Sequence, residues 1–248
     1  MNPIVLITGG SRGIGAATAL LAAQRGYAVA VNYTHNSLAA DEVVRQIRAA
    51  GGTAITVQAD VADEAQVMAM FEKVDAKLGR LNCLVNNAGV VDHASRVDDM
   101  SFARLRRMFD INIMGSFLCA REAVRRMSTR HGGAGGSIVN LSSVAARLGG
   151  PGQYVDYAAA KGAIDTFTVG LAKEVATEGV RVNAVRPGII ETEIHASGGQ
   201  PNRAREMAPL VPMQRAGSAE EVAQAIVWLM SDASSYSTGS FIDVTGGR

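Results

Sequence analysis

The stretch Ile4-Val5-Leu6-Ile7-Thr8-Gly9-Gly10-Ser11-Arg12-Gly13-Ile14-Gly15 decides how the rest of the chain is read. Four consecutive branched apolar residues make a buried strand, and the glycine-rich turn after them runs straight into the helical pattern Ala16–Arg25. Glycines at such a junction permit positive φ and close backbone approach to a pyrophosphate. The helix start then adds free N–H groups and a favourable dipole. The spacing is Gly-x-x-x-Gly-x-Gly, not the usual dinucleotide GxGxxG, so placement between strand and helix carries the reading, with a purely structural turn as the plain alternative. On it, Gly9, Ser11, Arg12, Gly13, Ile14 and Gly15 line a nucleotide. The same letters spell GxSxG, the nucleophile elbow of serine hydrolases. That reading fails on position: an elbow needs earlier strands and an upstream oxyanion loop, and only ten residues precede Ser11.

Outward from this unit the pattern repeats. Ile4–Thr8, Val29–Tyr33, Ala54–Gln58, Leu81–Asn86, Ser137–Ser142, Arg181–Arg186 and Phe241–Val244 read as strands. Between them Ala16–Arg25, Leu38–Ala50, Glu64–Leu78, Phe102–Met127 and Tyr157–Thr177 carry apolar residues at helical spacing. Strands apolar on both faces, each followed by a helix-length connection, predict an α/β fold: a Rossmann-like, doubly wound, seven-stranded parallel sheet with helices on both faces. No Pro/Ser-rich linker divides it, so 1–248 reads as a single domain. The glycines of His131-Gly132-Gly133-Ala134-Gly135-Gly136 read as a turn into the next strand, and Ile189–Pro212, weakly periodic, as a lid over the substrate.

Composition narrows the function classes. With 48% hydrophobic and 19% charged residues the chain can bury a large core, and a formal charge of +1 gives no field to gather nucleic acid or an anionic membrane. Cys83 and Cys119 fall in apolar patterns without metal-ligand spacing, so both read as buried thiols and no metal is expected. Ile4–Ile7 is too short for a signal-peptide core and no apolar run reaches the ~18 residues of a membrane span, so a cytoplasmic protein is expected.

Three further segments carry chemistry. Asn86-Asn87-Ala88-Gly89 ends the fourth strand, at the sheet edge where open α/β folds bind ligands. Asp60-Val61 follows the third strand on the same edge, and reads equally as an adenine contact or as an ordinary helix cap. Tyr157-Ala158-Ala159-Ala160-Lys161 is the sharpest signal, because a four-residue helical step puts phenol and ammonium on one face. A neighbouring cation favours the phenolate and moves a group that titrates near ~10 towards acid/base use. The serines of Leu141-Ser142-Ser143 lie just upstream.

Taken together, Thr8–Gly15, Asn86–Gly89, Ser143, Tyr157/Lys161 and Pro187-Gly188 resemble the short-chain dehydrogenase/reductase family over essentially the whole chain. The texture is similar to the branch holding 3-oxoacyl-carrier-protein reductases and glucose dehydrogenases. The resemblance implies an oxidoreductase that moves hydride between nicotinamide and a carbonyl or secondary alcohol. Tyr157 would be the acid/base, Lys161 would lower its pKa and bond the nicotinamide ribose, Ser143 would polarise the substrate oxygen, and Asn112 would hold a proton-relay water. Ser142 competes with Ser143, but the family pattern takes the second of the pair; Tyr154 competes with Tyr157, but Ala158 stands where a lysine is needed. Asn87, Ala88, Gly89, Pro187, Gly188, Ile190 and Thr192 would flank the cofactor, and the assembly would be a homotetramer. A protein that senses NADP(H) without turnover is the alternative.

The cofactor type turns on the end of the second strand. NAD enzymes commonly place a carboxylate there, but from Ala16 to Ala40 there is no Asp or Glu, and Asn32, Tyr33 and Thr34 offer a neutral surface. Arg12 is the nearby cation, either a solvent-facing loop charge or a partner for a 2′-phosphate. NADP(H) is therefore expected over NAD(H), with Arg12→Ala eroding the preference and Asn32→Asp moving it towards NAD(H). The substrate pocket is expected from Val90–Ser95, Val144–Tyr154 and the lid, with His93, Arg147, His195, Arg203 and Arg205 as its cations.

Overall fold

Parallel strands cannot be joined by tight turns, so each strand hands the chain to a helical crossover before the next begins. In the computed structural model, which describes residues 2–248, the strands are β1 (Ile4–Ile7), β2 (Ala28–Tyr33), β3 (Ala54–Gln58), β4 (Cys83–Asn86), β5 (Gly136–Leu141), β6 (Val180–Pro187) and β7 (Phe241–Val244). All pairings are parallel, in the order β3-β2-β1-β4-β5-β6-β7. The order reverses between β1 and β4, which opens a crevice at the carboxyl ends of those two strands.

The helices are α1 (Gly13–Gln24), α2 (Ser37–Ala49), α3 (Glu64–Lys77), α4 (Phe102–Phe109), α5 (Gly115–Met127), α6 (Ala145–Leu148), α7 (Val155–Val175), α8 (Ile194–Ser197), α9 (Arg203–Met207) and α10 (Ala219–Met230). Alternation along each strand feeds two cores. Val5, Ile7, Val29 and Val31 pack with α1, α2 and α10 on one face. Ile4, Leu6, Ala28 and Ala30 pack with α3, α5 and α7 on the other. Cys83 and Cys119 are buried free thiols, one in each core. No helix among the described residues is long and apolar enough to cross a membrane.

The structure corrects four local expectations. The helix expected over Phe102–Met127 is interrupted by a π turn at Asp110–Met114. Its cause is Asn112, whose amide donates to the Met108 carbonyl one turn back at 3.0 Å and competes with the backbone ladder. The cap of α3 is Asp63, which accepts from Gln66 N at 3.1 Å; Asp60 instead accepts from Ala62 N at 3.0 Å, three residues earlier. The segment 189–212 holds the short helices α8 and α9 rather than irregular chain throughout. Finally, the helical stretches named from the sequence omit α10, although Ser218-x-x-Glu221 is a capping box, and both of its reciprocal hydrogen bonds form.

Candidate active site

The crevice floor is a set of backbone groups held by side chains. Gly9 and Gly13 take φ of +60° and +50°, and a Cβ on Gly15 would collide with the Gly9 carbonyl oxygen. The Asn87 amide donates to the carbonyls of Thr8 and Gly9, each at 2.9 Å, while the Thr8 hydroxyl accepts from Asn87 N and Ala88 N. The loop therefore cannot relax away from the start of α1.

Asn32 stands beneath this loop and not on the surface expected of it. It is buried, donates to the carbonyls of Val57 at 3.2 Å and Ala59 at 3.0 Å, and accepts from Gly9 N at 3.1 Å. Its side chain is thus a clamp between β2, β3 and the glycine loop. Tyr33 and Thr34 are the partly exposed residues of that strand end, with the Thr34 hydroxyl 3.4 Å from Ala59 O. Arg12 is exposed and reaches 3.5 Å to the Ser197 hydroxyl. Ser11 makes no hydrogen bond among the described residues, Ile14 lines the cavity beyond the loop, and Val61 is buried against Gly115.

Across the crevice, β5 and α7 bring Ser143, Tyr157 and Lys161 to one wall of a cavity of about 470 Å³. The two serines divide their work. Ser142 is buried and donates to the Lys161 carbonyl at 3.2 Å, whereas Ser143 Oγ accepts from Ala145 N at 3.1 Å and lines the cavity beside Tyr157. Tyr154 is committed elsewhere, donating to Gln200 Oε1 at 3.1 Å. The phenol is not depressed as expected: burial pushes Tyr157 up to about 12, against a hydrogen bond from Ser143 that pulls it down. Burial likewise pushes Lys161 down to about 8, with Asp165 one turn on acting the other way. The Lys161 ammonium lies 5.6 Å from the Tyr157 ring centre and donates to the Leu141 carbonyl at 2.6 Å.

Asn112 is fully buried. Its amide donates to Val90 O and Met108 O, each at 3.0 Å, and its Oδ1 accepts from Val90 N at 3.2 Å. A Cβ on Gly89 would meet that oxygen at 2.8 Å and the Lys161 nitrogen at 3.6 Å, so Asn112 and Lys161 converge on the same glycine. Pro187, Gly188, Ile190 and Thr192 line the cavity from the end of β6, and Thr192 also touches the glycine loop, 3.2 Å from a Cβ on Gly13.

A family model described as enoyl-(acyl carrier protein) reductase matches residues 9–248. The chain is 60% identical to an uncharacterized oxidoreductase, YgfF, of Escherichia coli (strain K12) over 99% of both chains. It is 41% identical to a 3-oxoacyl-[acyl-carrier-protein] reductase of Synechocystis sp. over 98% of this chain and 96% of that one. A short-chain type dehydrogenase/reductase from Mycobacterium marinum superposes with a TM-score of 0.93 at 36% identity, covering 99% of this chain and 94% of that one. The chain belongs to the short-chain dehydrogenase/reductase family.

Within this short-chain dehydrogenase/reductase, one pair at the site escapes a motif-based reading. Arg104 and Asp156 form a bidentate ion pair at 2.8 and 3.2 Å, with both side chains nearly or wholly buried. Asp156 also accepts from Tyr157 N at 2.9 Å, and Arg104 donates to the His93 carbonyl at 2.6 Å. The pair thus ties the first turn of α7 to the loop after β4. No spacing rule joins residues 52 apart, so the only signal in the sequence is an Asp beside the tyrosine.

Proposed function

We propose that the protein is an NADP(H)-dependent oxidoreductase that moves hydride between nicotinamide and a carbonyl or secondary alcohol, with Tyr157 as the acid/base. The observation that carries this reading is the convergence of Ser143, Tyr157 and Lys161 on one wall of the cavity beside the glycine loop. The loop fits a dinucleotide: without a Cβ, Gly15 lets the Gly9 carbonyl and the Asn87 amide close onto the start of the 12-residue helix α1, whose first turn holds no acidic residue. Gly9, Ser11, Arg12, Gly13, Ile14, Asn87, Ala88 and Gly89 would hold the diphosphate side, with Asp60 and Val61 at the adenine. Pro187, Gly188, Ile190 and Thr192 would flank the nicotinamide, which when bound supplies or takes the hydride.

The chain's own groups supply the proton. The Ser143 hydroxyl donates to the substrate oxygen and Tyr157 delivers its proton to the same atom as charge develops there. A phenol held near 12 is protonated at neutral pH, the form that carbonyl reduction needs. Lys161 favours proton loss from Tyr157 in its ammonium form, and Asn112 holds the β4 loop that faces it.

NADP(H) preference is supported by the absence of any acidic residue from Ala16 to Ala40 and by exposed Arg12. The segment 189–212 would act as lid. Exposed Met114 and Phe117, the latter stacked on Phe167 at 3.8 Å, favour a homotetramer, for which light scattering is the check. Its place would be the cytoplasm. The test is kcat/KM with NADPH and NADH over a panel of ketones, with NADPH preferred. Equal rates with NADH would remove the cofactor preference, and NADPH that binds but is never oxidised would mark a sensor.

A further inference from the structure

Of the five cations that the sequence offers for the substrate pocket, the structure keeps two. Arg147 is exposed and paired with Asp243 at 2.6 Å, Arg205 is exposed on the outside of α9, and the His93 ring packs on Gly199 outside the cavity lining. His195 and Arg203 remain in the lining, Arg203 beside Gln153, Tyr154 and Gln200. Around them the walls are apolar, with Val144, Leu148, Ile194 and Met207, and no Asp or Glu side chain lines the cavity among the described residues.

Arg203 has no carboxylate partner among the described residues, although Glu191, Glu193 and Glu206 are near it in sequence. It donates to two neutral amide oxygens, Gln200 Oε1 at 2.6 Å and Gln153 Oε1 at 2.9 Å, and its guanidinium lies over the Tyr154 ring at 5.1 Å. A guanidinium carries five N–H donors, so most of the fork stays unused while its orientation is fixed from two sides. Burial and the neighbouring Arg203 hold the His195 imidazole below its ordinary range, so of these two cations Arg203 carries the charge at neutral pH; the lining's other cations are Lys161, at the Tyr157 ring, and Arg248.

We infer that the cavity takes a ketone or secondary alcohol bearing a carboxylate, with the reacting oxygen at Ser143 and Tyr157, an apolar middle along the cavity walls, and the carboxylate on Arg203. A preoriented guanidinium in an apolar cavity matches carboxylate geometry and recovers more from pairing there than at a wet surface. The inference rests on the oxidoreductase reading for what happens at the other end. Its own content is the acid-over-ester selectivity.

The test uses 3- and 4-acetylbenzoate, each beside its methyl ester. NADPH oxidation is followed by kinetics, and equilibrium binding to the protein loaded with oxidised cofactor is followed by calorimetry. The expected result is an acid-over-ester ratio of 10-fold or more in kcat/KM and in binding. It should collapse towards unity in Arg203→Met, survive in part in Arg203→Lys, which keeps the charge but not the two-sided latch, and stay unchanged in the control Arg205→Met. Equal binding of acid and ester, or a ratio insensitive to Arg203→Met, overturns the carboxylate site whatever the turnover. Loss of NADPH affinity in Arg203→Met, with the ratio intact, would assign the charge to the cofactor and overturn it too. Selective binding of the acids without any turnover would keep the site and sink the oxidoreductase reading instead.

Discussion

The two ends of the cavity are built by different means. Around the glycine loop, side chains hold backbone: Asn87 grips the carbonyls of Thr8 and Gly9, and Asn32 grips Gly9, Val57 and Ala59. Where the β6–β7 crossover meets the segment before α7, side chains hold side chains, with Arg203 on Gln153 and Gln200, and Tyr154 on Gln200. The first arrangement has one geometry that works, because a backbone group cannot be exchanged for another. The second can be rebuilt with many residue sets, which is the freedom a substrate pocket needs on a fixed cofactor platform.

That difference predicts unequal tolerance to substitution. The largest effect belongs to Asn32→Asp. Instead of shifting the cofactor preference, it would face the Val57 and Ala59 carbonyls with a buried carboxylate, at a cost of about 3–5 kcal/mol in unfolding free energy. A denaturant titration showing native stability would break the clamp reading and return Asn32 to the cofactor surface. Gly15→Ala should cost less stability, about 1–3 kcal/mol, since the Cβ meets the Gly9 carbonyl and the Asn87 amide. It should nevertheless abolish NADPH binding by fluorescence titration, because the loop has nowhere to go.

The smallest effect has the opposite sign. Lys161 is held at about 8 against an ordinary 10.5, so between those values the unfolded chain binds more protons and stability rises with pH; below about 8 the full cost is present. Lys161→Met should therefore raise stability at pH 7 by about 1–2 kcal/mol, erase the rise between pH 8 and 10.5, and lose turnover. A less stable variant would contradict the idea that the ammonium is kept there at a cost to folding.

The same contrast explains what could be read from the sequence. The seven strands and the glycine loop were legible because burial on two faces and backbone approach each demand particular residue types in a fixed order, as in Ile4–Gly15. The Tyr157/Lys161 step and the choice of Ser143 over Ser142 come from a local helical period and from a family pattern. The role of Asn32 was not legible, because nothing local tells an asparagine facing a ligand from one facing two carbonyls of the next strand. The Arg104–Asp156 pair and the choice of Arg203 among five cations depend on contacts between distant segments, which leave no period in the sequence.

Central to the proposed chemistry is Tyr157 as proton donor on a platform that stays intact without it. Tyr157→Phe keeps the ring and removes only the hydroxyl, so single-turnover oxidation of bound NADPH with a ketone the native protein accepts tests it most directly. The predicted result is unchanged NADPH affinity and a hydride-transfer rate lowered by about 100-fold or more. A rate within a few-fold of native, at the same affinity, would contradict it.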